Sequence, residues 1–437
     1  MIKLILIVLF QCGYHLVASD GNGLGLTPVM GFMNWERFRC QTDCVNFPNE
    51  CINENLFMTM ADAMVTFGLK DAGYTYLSID DCWLMKNRSA DGQLVADPDR
   101  FPSGMKALAD YMHERGLKLG IYEDVGYKTC AGYPGSKGHI ETDAQTFASW
   151  GIDMLKFDGC YIDPLTSGPG YKEMGKALNN TGRDILYLCE WPLYDPVADY
   201  AEVAETCNFF RNYDDVQDSW DSLFGIIKHY ANNQNKFAKH SGPGHFLDPD
   251  ELLVGNSGTS FGQQKIQMAM WCMWSAPLLV SSDLRFISDA ALSLLLNRYL
   301  IRINQDPLGD FAKQVISDSN GAIQVWLKKL GDATFGTYAI CNFHAKSDDQ
   351  TVLLSYSLKD LGVKEPESGE TFTLIDAFTG TNFGDGPVSW DDKIDLYVPD
   401  FDAVVLIVKL QQKLNSPMRV SQKIEEWFKP EVVWNRR

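Results

Sequence analysis

Residues 154–160, Met-Leu-Lys-Phe-Asp-Gly-Cys, read as a strand of a buried sheet that nonetheless carries a lysine and an aspartate two positions apart. Side chains alternate faces along a strand, so Met154, Lys156 and Asp158 share one face and Leu155 and Phe157 the other. An ammonium and a carboxylate on one face of a buried strand need a reason, and the flanking chain supplies it. From residue 28 to about 306, short apolar runs alternate with amphipathic stretches. The runs are Val29–Asn34, Tyr76–Asp80, Lys118–Glu123, Asp153–Asp158, Ile185–Glu190, Asn208–Tyr213, a weak one near His245–Leu247, and Pro277–Ser281. Helical periodicity lies between them, as in Phe57–Phe67, Met105–Arg115, Asp143–Trp150 and Gln263–Trp274. Such alternation implies parallel strands with right-handed crossovers, and eight repeats over this length predict a closed (β/α)8 barrel. A doubly wound open sheet is the rival, but no glycine-rich phosphate loop follows the first strand.

After Asn304-Gln305-Asp306-Pro307-Leu308-Gly309 the pattern changes. Ile323–Leu330, Thr334–Cys341, Thr351–Leu358, Thr371–Phe378 and Ile394–Val408 are strand-like, with turn residues and no helical periodicity between them. The expected organisation is an α/β barrel over residues 20–309, an antiparallel β-sandwich over 310–412, and a polar tail over 413–437.

The chain starts with Met1-Ile2-Lys3 and an apolar run, Leu4 to Phe10, followed by small residues at Val17-Ala18-Ser19. Residues 1–19 are expected to be a secretory signal peptide, and no later run is long enough to span a membrane. That context predicts a lumenal or extracellular protein. It also makes disulfides the first reading of the eleven cysteines, eight of which lie between Cys40 and Cys207. Cys272 and Cys341 sit in apolar surroundings and read as buried free thiols. Asn87 and Asn179 head N-x-S/T sequons and are expected to be glycan sites. A net charge of −19 argues against a nucleic-acid partner.

In a barrel, reactive groups sit at the carboxyl ends of the strands. The polar residues fall there: Trp35 after strand one, Asp80 and Asp81 after strand two, Tyr122 and Asp124 on strand three, and Lys156 and Asp158 on strand four. Glu190 follows on strand five and Arg211 on strand six, with Asp214 and Asp215 just beyond; Asp248 and Asp250 come after strand seven. Crowded carboxylates raise one another's pKa unless cations or a ligand compensate. The face suits a hydroxyl-rich ligand with aromatic contacts, for which Trp35, Tyr122, Trp191 and Tyr194 are candidates. Two carboxylates flanking an acetal are the minimum for glycoside hydrolysis. Asp158 is the candidate nucleophile, with Lys156 expected to keep it ionised. Asp215 is the candidate acid/base, with Asp214 and Asp218 expected to favour a retained proton, although other pairs can be drawn.

The stretches GFMNWERF (31–38), YLSIDDCW (76–83), GLKLGIYEDVGYKTCAG (116–132), MLKFDGC, LCEWPLY (188–194), RNYDD (211–215) and INQDPLG (303–309) resemble glycoside hydrolase family 27, which includes lysosomal α-galactosidases and α-N-acetylgalactosaminidases. The resemblance runs from about Leu26 to Gly309. It implies a (β/α)8 barrel followed by a β-sandwich and a retaining double displacement, with Asp158 as nucleophile and Asp215 as acid/base. Sugar-binding roles fall on Trp35, Asp80, Asp81, Tyr122, Cys130 through its disulfide, Lys156, Arg211 and Asp250. Implied disulfides are Cys40–Cys82, Cys44–Cys51, Cys130–Cys160 and Cys189–Cys207. Implied substrates are α-galactoside-bearing glycolipids, glycoproteins or oligosaccharides, and the implied assembly is a homodimer.

In this family a glutamate and a leucine in the E-W-P-L-Y stretch accept a 2-hydroxyl and exclude a 2-acetamido group, and small residues there accept the latter. Glu190 and Leu193 therefore imply an α-galactosidase, with α-N-acetylgalactosaminidase or dual specificity as the alternative. The chain departs from its relatives at Phe246, Leu247 and Glu251, where they carry tryptophan, asparagine and methionine. It also departs at Glu123, which by alternation should face away from the sugar. A non-catalytic galactose-binding protein is a weaker reading, because both carboxylates remain. Gly258–Gly262 matches G-x-S-x-G, but Ser260 with Gln263 reads better as a helix capping box than as a nucleophile elbow. The seven histidines show no ligand spacing, and neither a metal nor a cofactor is expected.

Overall fold

The structure is a computed structural model that describes residues 22–346, 350–367 and 369–411. The expected signal segment and the polar tail lie outside the described residues.

Eight strands form one parallel sheet: β1 (Met30–Met33), β2 (Tyr76–Ser78), β3 (Lys118–Asp124), β4 (Met154–Asp158), β5 (Leu186–Cys189), β6 (Phe209–Arg211), β7 (Phe246–Asp248) and β8 (Leu278–Val280). Their order is β7-β6-β5-β4-β3-β2-β1-β8, so the sheet curls until β8 and β7 meet. That last seam is closed by the residue just past β7. Leu252 N donates to Leu279 O at 2.7 Å and Leu252 O accepts from Ser281 N at 3.0 Å. The chain reaches it through Asp250, a non-glycine residue with φ of 80°.

Helices cover the outside. α1 (Trp35–Phe38) and α2 (Glu54–Thr66) follow β1, α3 (Gly104–Glu114) follows β2, α4 (Ile140–Trp150) follows β3, and α5 (Gly168–Asn180) follows β4. α6 (Trp191–Tyr194) and α7 (Tyr200–Thr206) follow β5, α8 (Trp220–Phe237) follows β6, α9 (Phe261–Met273) follows β7, and α10 (Asp289–Leu295) and α11 (Arg298–Asn304) follow β8. Local chemistry starts and stops them. Asn53 accepts from Leu56 N to cap α2, Gly151 ends α4 at φ 81°, and Ser260 with Gln263 forms a capping box on α9.

Inside the barrel, Val29, Met33, Tyr76, Met154, Leu186, Leu188, Phe209, Phe246 and Leu279 form an apolar floor. Phe246 stacks on Phe209 there, with ring centres 6.3 Å apart. Leu247, one residue on, belongs to the outer core between strands and helices. Of the three departures in this stretch, Phe246 therefore lies beneath the polar face and Leu247 points away from it.

The C-terminal strands are antiparallel. β9 (Lys313–Ser317), β10 (Ile323–Lys329), β11 (Tyr338–His344), β13 (Thr371–Asp376) and β15 (Asp402–Gln411) form one sheet, and β12 (Val352–Tyr356) pairs with β14 (Ile394–Val398). Three details differ from the sequence expectation. β9 was not anticipated, because its polar residues hide a half-buried edge strand. The Thr334–Cys341 run starts late, because Phe335 N and Gly336 N fold back onto Asp332 O. The Ile394–Val408 run is two strands, broken where Phe401 adopts φ 43°.

The barrel and the β region share one apolar core. α9 is buried on nearly every side, and Trp326, Ala339, Cys341, Phe343, Val405 and Ile407 join the same cluster as Met270 and Cys272. Cys272 and Cys341 are buried free thiols within it. Gly262 makes the close approach possible: a Cβ there would lie 2.0 Å from Phe401 O. Gly262→Ala should therefore cost about 3 kcal/mol through backbone overlap. A lowered thermal midpoint would show it, while Gly386→Ala, where a Cβ meets nothing within 4 Å, should leave the midpoint in place.

Candidate active site

The strands stack their inward side chains in layers above the apolar floor. β3 and β4 pair Tyr122 with Lys156 and Asp124 with Asp158, and β4 pairs Lys156 with Leu188 of β5. Lys156 thus emerges one layer below Asp158. Its Nζ lies 2.8 Å from Asp80 Oδ2 and 3.2 Å from Glu190 Oε1, and 5.6 Å from the Tyr122 ring centre. The expected pairing of Lys156 with Asp158 is not what forms. Residues two apart on a strand stand ~6.6 Å apart along it, and the nearer carboxylates take the ammonium. Asp158 is instead held by neutral donors: Gly159 N reaches Oδ1 at 2.8 Å and the Tyr122 hydroxyl reaches Oδ2 at 2.6 Å.

Arg211, buried at 1% exposure, organises the other side. Its Nη1 lies 3.3 Å from Glu190 Oε1, and its Nη2 lies 3.0 Å from Asp215 Oδ1 and 3.1 Å from Asp250 Oδ2. Burial pushes the Asp215 pKa up, but the charges of Arg211 and Lys156 outweigh it and leave the carboxyl below its ordinary value. The expected proton-retaining effect of Asp214 and Asp218 is thereby reversed. Asp218 turns away to accept from Gly258 N at 2.8 Å, and Arg211 dominates instead.

The remaining carboxylates crowd under low solvent. Asp81 accepts from Ala131 N at 2.8 Å and Cys82 N at 2.6 Å, yet burial pushes it up to about 6. Burial likewise raises Asp80, Glu190 and Glu251 and pushes Asp248 up to about 6. Burial and then the charge of Asp158 push Asp124 up to about 9. Glu123 faces the outer layer, where its Oε2 accepts from Asp124 N and from the Ser136 hydroxyl.

Disulfides fix the rim. Cys40–Cys82, Cys44–Cys51, Cys130–Cys160 and Cys189–Cys207 are bonded. The Cys130 sulfur lies 3.2 Å from Asp158 Oδ2, and the Tyr194 hydroxyl is 3.4 Å from the Cys160 sulfur. Asp124 and Asp158 cluster with these two sulfurs, which, being bonded to each other, offer no thiolate to a metal. Trp35, Leu193 and Tyr194 are half-buried. Trp191 is not available to a ligand: it is 3% exposed and stacks on Tyr171 in the outer layer.

The structure thus gathers Trp35, Asp80, Asp81, Tyr122, Cys130, Lys156, Asp158, Glu190, Leu193, Tyr194, Arg211, Asp215 and Asp250 at the carboxyl ends of the barrel strands. Asn34, Asp124, Asp248 and Glu251 belong to the same network. Asn34 and Glu251 act on backbone amides of distant loops, a role that leaves no local sequence signal. One carboxylate aligned by a tyrosine and one bound to an arginine can divide the work of attack and proton transfer at an acetal.

A family model described as alpha galactosidase A, of the melibiase class, matches residues 27–306. The chain is 47% identical over 364 residues to the alpha-N-acetylgalactosaminidase of Gallus gallus, covering 82% of this chain and 88% of that protein. It is 52% identical over 313 residues to alpha-galactosidase A of Homo sapiens, covering 71% and 72%. Among solved structures, alpha-galactosidase I from Mortierella vinacea superposes with a TM-score of 0.78 at 30% identity, over 89% of this chain and 98% of that one.

Acids with raised folded pKa values bind protons more tightly folded than unfolded. Their stabilising contribution is complete below the ordinary carboxyl value near 4 and is lost as pH rises, through about 6 for Asp81 and Asp248 and toward about 9 for Asp124. Asp215 runs the other way, but its side chain is 43% exposed and weighs less. The thermal midpoint should therefore fall between about pH 5 and about pH 8, with a shallower slope in Asp124→Asn. A midpoint that climbs over that range would contradict this charge arrangement.

Proposed function

This chain belongs to glycoside hydrolase family 27, the melibiases, and we propose that it is a retaining α-galactosidase that removes terminal α-linked galactose from glycolipids, glycoproteins or oligosaccharides. In this reading Asp158 attacks the anomeric carbon as the glycosidic C–O bond breaks, and Asp215 gives its proton to the departing oxygen. A glycosyl ester on Asp158 results. Asp215, now a carboxylate, takes a proton from water, the water oxygen bonds to the anomeric carbon, and the ester bond breaks to free galactose with its configuration retained. The Tyr122 hydroxyl and Gly159 N orient the Asp158 carboxylate. Asp80, Asp81 and Lys156 face sugar hydroxyls, and Trp35 covers the apolar side of the ring.

The observation that carries galactose over its 2-acetamido analogue is the Glu190–Leu193 turn. Leu193 N donates to Glu190 O at 3.1 Å, so residues three apart project to one side of it. Glu190, held by Lys156 and Arg211, offers an acceptor to a 2-hydroxyl, and Leu193 fills the volume an acetamido group needs. The relative from Gallus gallus, with its fuller coverage, supports the second reading, an α-N-acetylgalactosaminidase or an enzyme with both activities.

The disulfides suit maturation in the secretory pathway, and Asn87 and Asn179 are exposed, as glycan attachment would require. A lysosomal setting suits the chemistry, because Asp215 must carry a proton that Arg211 disfavours.

Four measurements test the proposal. The product first formed from p-nitrophenyl α-galactoside should be the α-anomer. Asp158→Asn should lower kcat by on the order of a thousandfold or more. Because the folded pKa of Asp215 is depressed, kcat/KM should fall steadily as pH rises toward neutrality. The galactoside should be preferred to its 2-acetamido counterpart, and Glu190→Ser with Leu193→Ala should move that preference toward the latter. An unaltered ratio in the double variant would remove the role given to this turn.

A further inference from the structure

α1 is one turn long, and its leading amides need acceptors. The residue before it does not provide one. Asn34 makes no side-chain cap bond to α1, because its Oδ1 accepts from Asp80 N at 2.8 Å. The acceptors come from the far side of the barrel seam. Glu251 Oε1 accepts from Trp35 N at 3.2 Å, and Oε2 accepts from Glu36 N at 2.8 Å. Glu251 is 1% exposed, and its own backbone is pinned. Its N–H donates to Asp250 Oδ1 at 2.8 Å, and its carbonyl accepts from Gln267 Nε2 at 3.0 Å.

The neighbouring carboxylate addresses the other half of the reaction. Asp250 Oδ2 accepts from Val216 N at 2.7 Å, beside Asp215, and lies 3.1 Å from Arg211. The two loops are also tied directly, because Glu36 Oε1 accepts from Asp218 N at 2.6 Å and Arg39 Nη2 donates to Gln217 Oε1 at 3.1 Å. One dipeptide, Asp250-Glu251, thereby sets the turn that carries Trp35 and the loop that carries Asp215.

We propose that Glu251 is a positioning residue: its carboxylate substitutes for the missing cap of α1 and holds Trp35 in place against the bound sugar. The proposal rests on the α-galactosidase reading, in which Trp35 touches substrate. Removing both acceptors leaves two part-buried amides without a partner, and removing one leaves a single amide so. The Trp35 turn then loosens, which weakens sugar binding more than it slows the chemistry of Asp158 and Asp215.

The test uses the full chain with Glu251→Gln, which keeps one acceptor oxygen, and Glu251→Met, which matches its length and keeps none. KM for p-nitrophenyl α-galactoside and the dissociation constant of galactose, read by tryptophan fluorescence, should rise about threefold in the first and about tenfold or more in the second, with kcat within about twofold. Amide exchange of the peptide spanning residues 34–39 should speed up in both. If Glu251→Met does not fold, Glu251→Gln decides alone. Unchanged KM, galactose affinity and exchange in Glu251→Gln, or a loss of kcat at constant KM, would overturn the proposal. The exchange measurement needs no turnover, so an inactive wild type would sink the functional reading and leave the latch still measurable.

Discussion

A buried ammonium sets the terms for the rest of the structure. Lys156 stands among Asp80, Glu190 and, through Glu190, Arg211. Removing one member would leave an uncompensated charge in a low-dielectric interior, a change that costs on the order of 3–5 kcal/mol. The group is therefore fixed in number as well as in place, and the strands that carry it must keep their register, since a slip of one residue would turn each charged group into the outer apolar layer. The apolar floor below, from Met33 to Leu279, does the complementary job of keeping water from reaching the cluster from beneath. The result is a polar face whose side chains are held by one another before any ligand arrives, which is the preorganisation that electrostatic catalysis requires.

Much of this was legible in the chain itself, and the reason is periodicity. Parallel strands covered on both faces read as short apolar runs, and the helices between them keep a 3.6-residue pattern, so all eight barrel strands fall where expected. The polar exceptions at strand ends marked the face that matters. What could not be read was which charge meets which. Same-face alternation placed Lys156 with Asp158, but cross-strand neighbours and layer height decided the pairing, and these depend on tilt and register that one strand's sequence does not hold. The acid strength of Asp215 failed for the same reason: neighbours in sequence suggested like charges, while Arg211 approaches from four residues back with its guanidinium aimed at the carboxylate. Trp191 looked like a ligand contact beside Glu190 and became a wall of the outer core. β9 and the break at Phe401 were lost because an edge strand needs no apolar face and a turn needs no glycine when a neighbouring helix presses against it.

The seam between β7 and β8 is where architecture and chemistry share residues. Short strands leave a gap there, and the chain bridges it by turning through Asp250 and returning at Leu252. Residues placed by that manoeuvre lie at the mouth of the barrel, so the segment that closes the fold also supplies carboxylates to the loops on either side. Backbone strain at Asp250 is tolerated because its side chain, its carbonyl and its neighbour are all bonded in place.

α9 carries this arrangement further along the chain. Its apolar surface is covered on one side by the barrel and on the other by β11 and β15. β15 is the last described strand that a ribosome would release. Until it emerges, the helix behind the seam presents an uncovered greasy flank, and the loop in front of it lacks its backing. The apolar packing behind the seam is therefore complete only once β15 has emerged, and a nascent chain stalled short of residue 402 would hold a complete set of site residues with one flank of α9 still open to water.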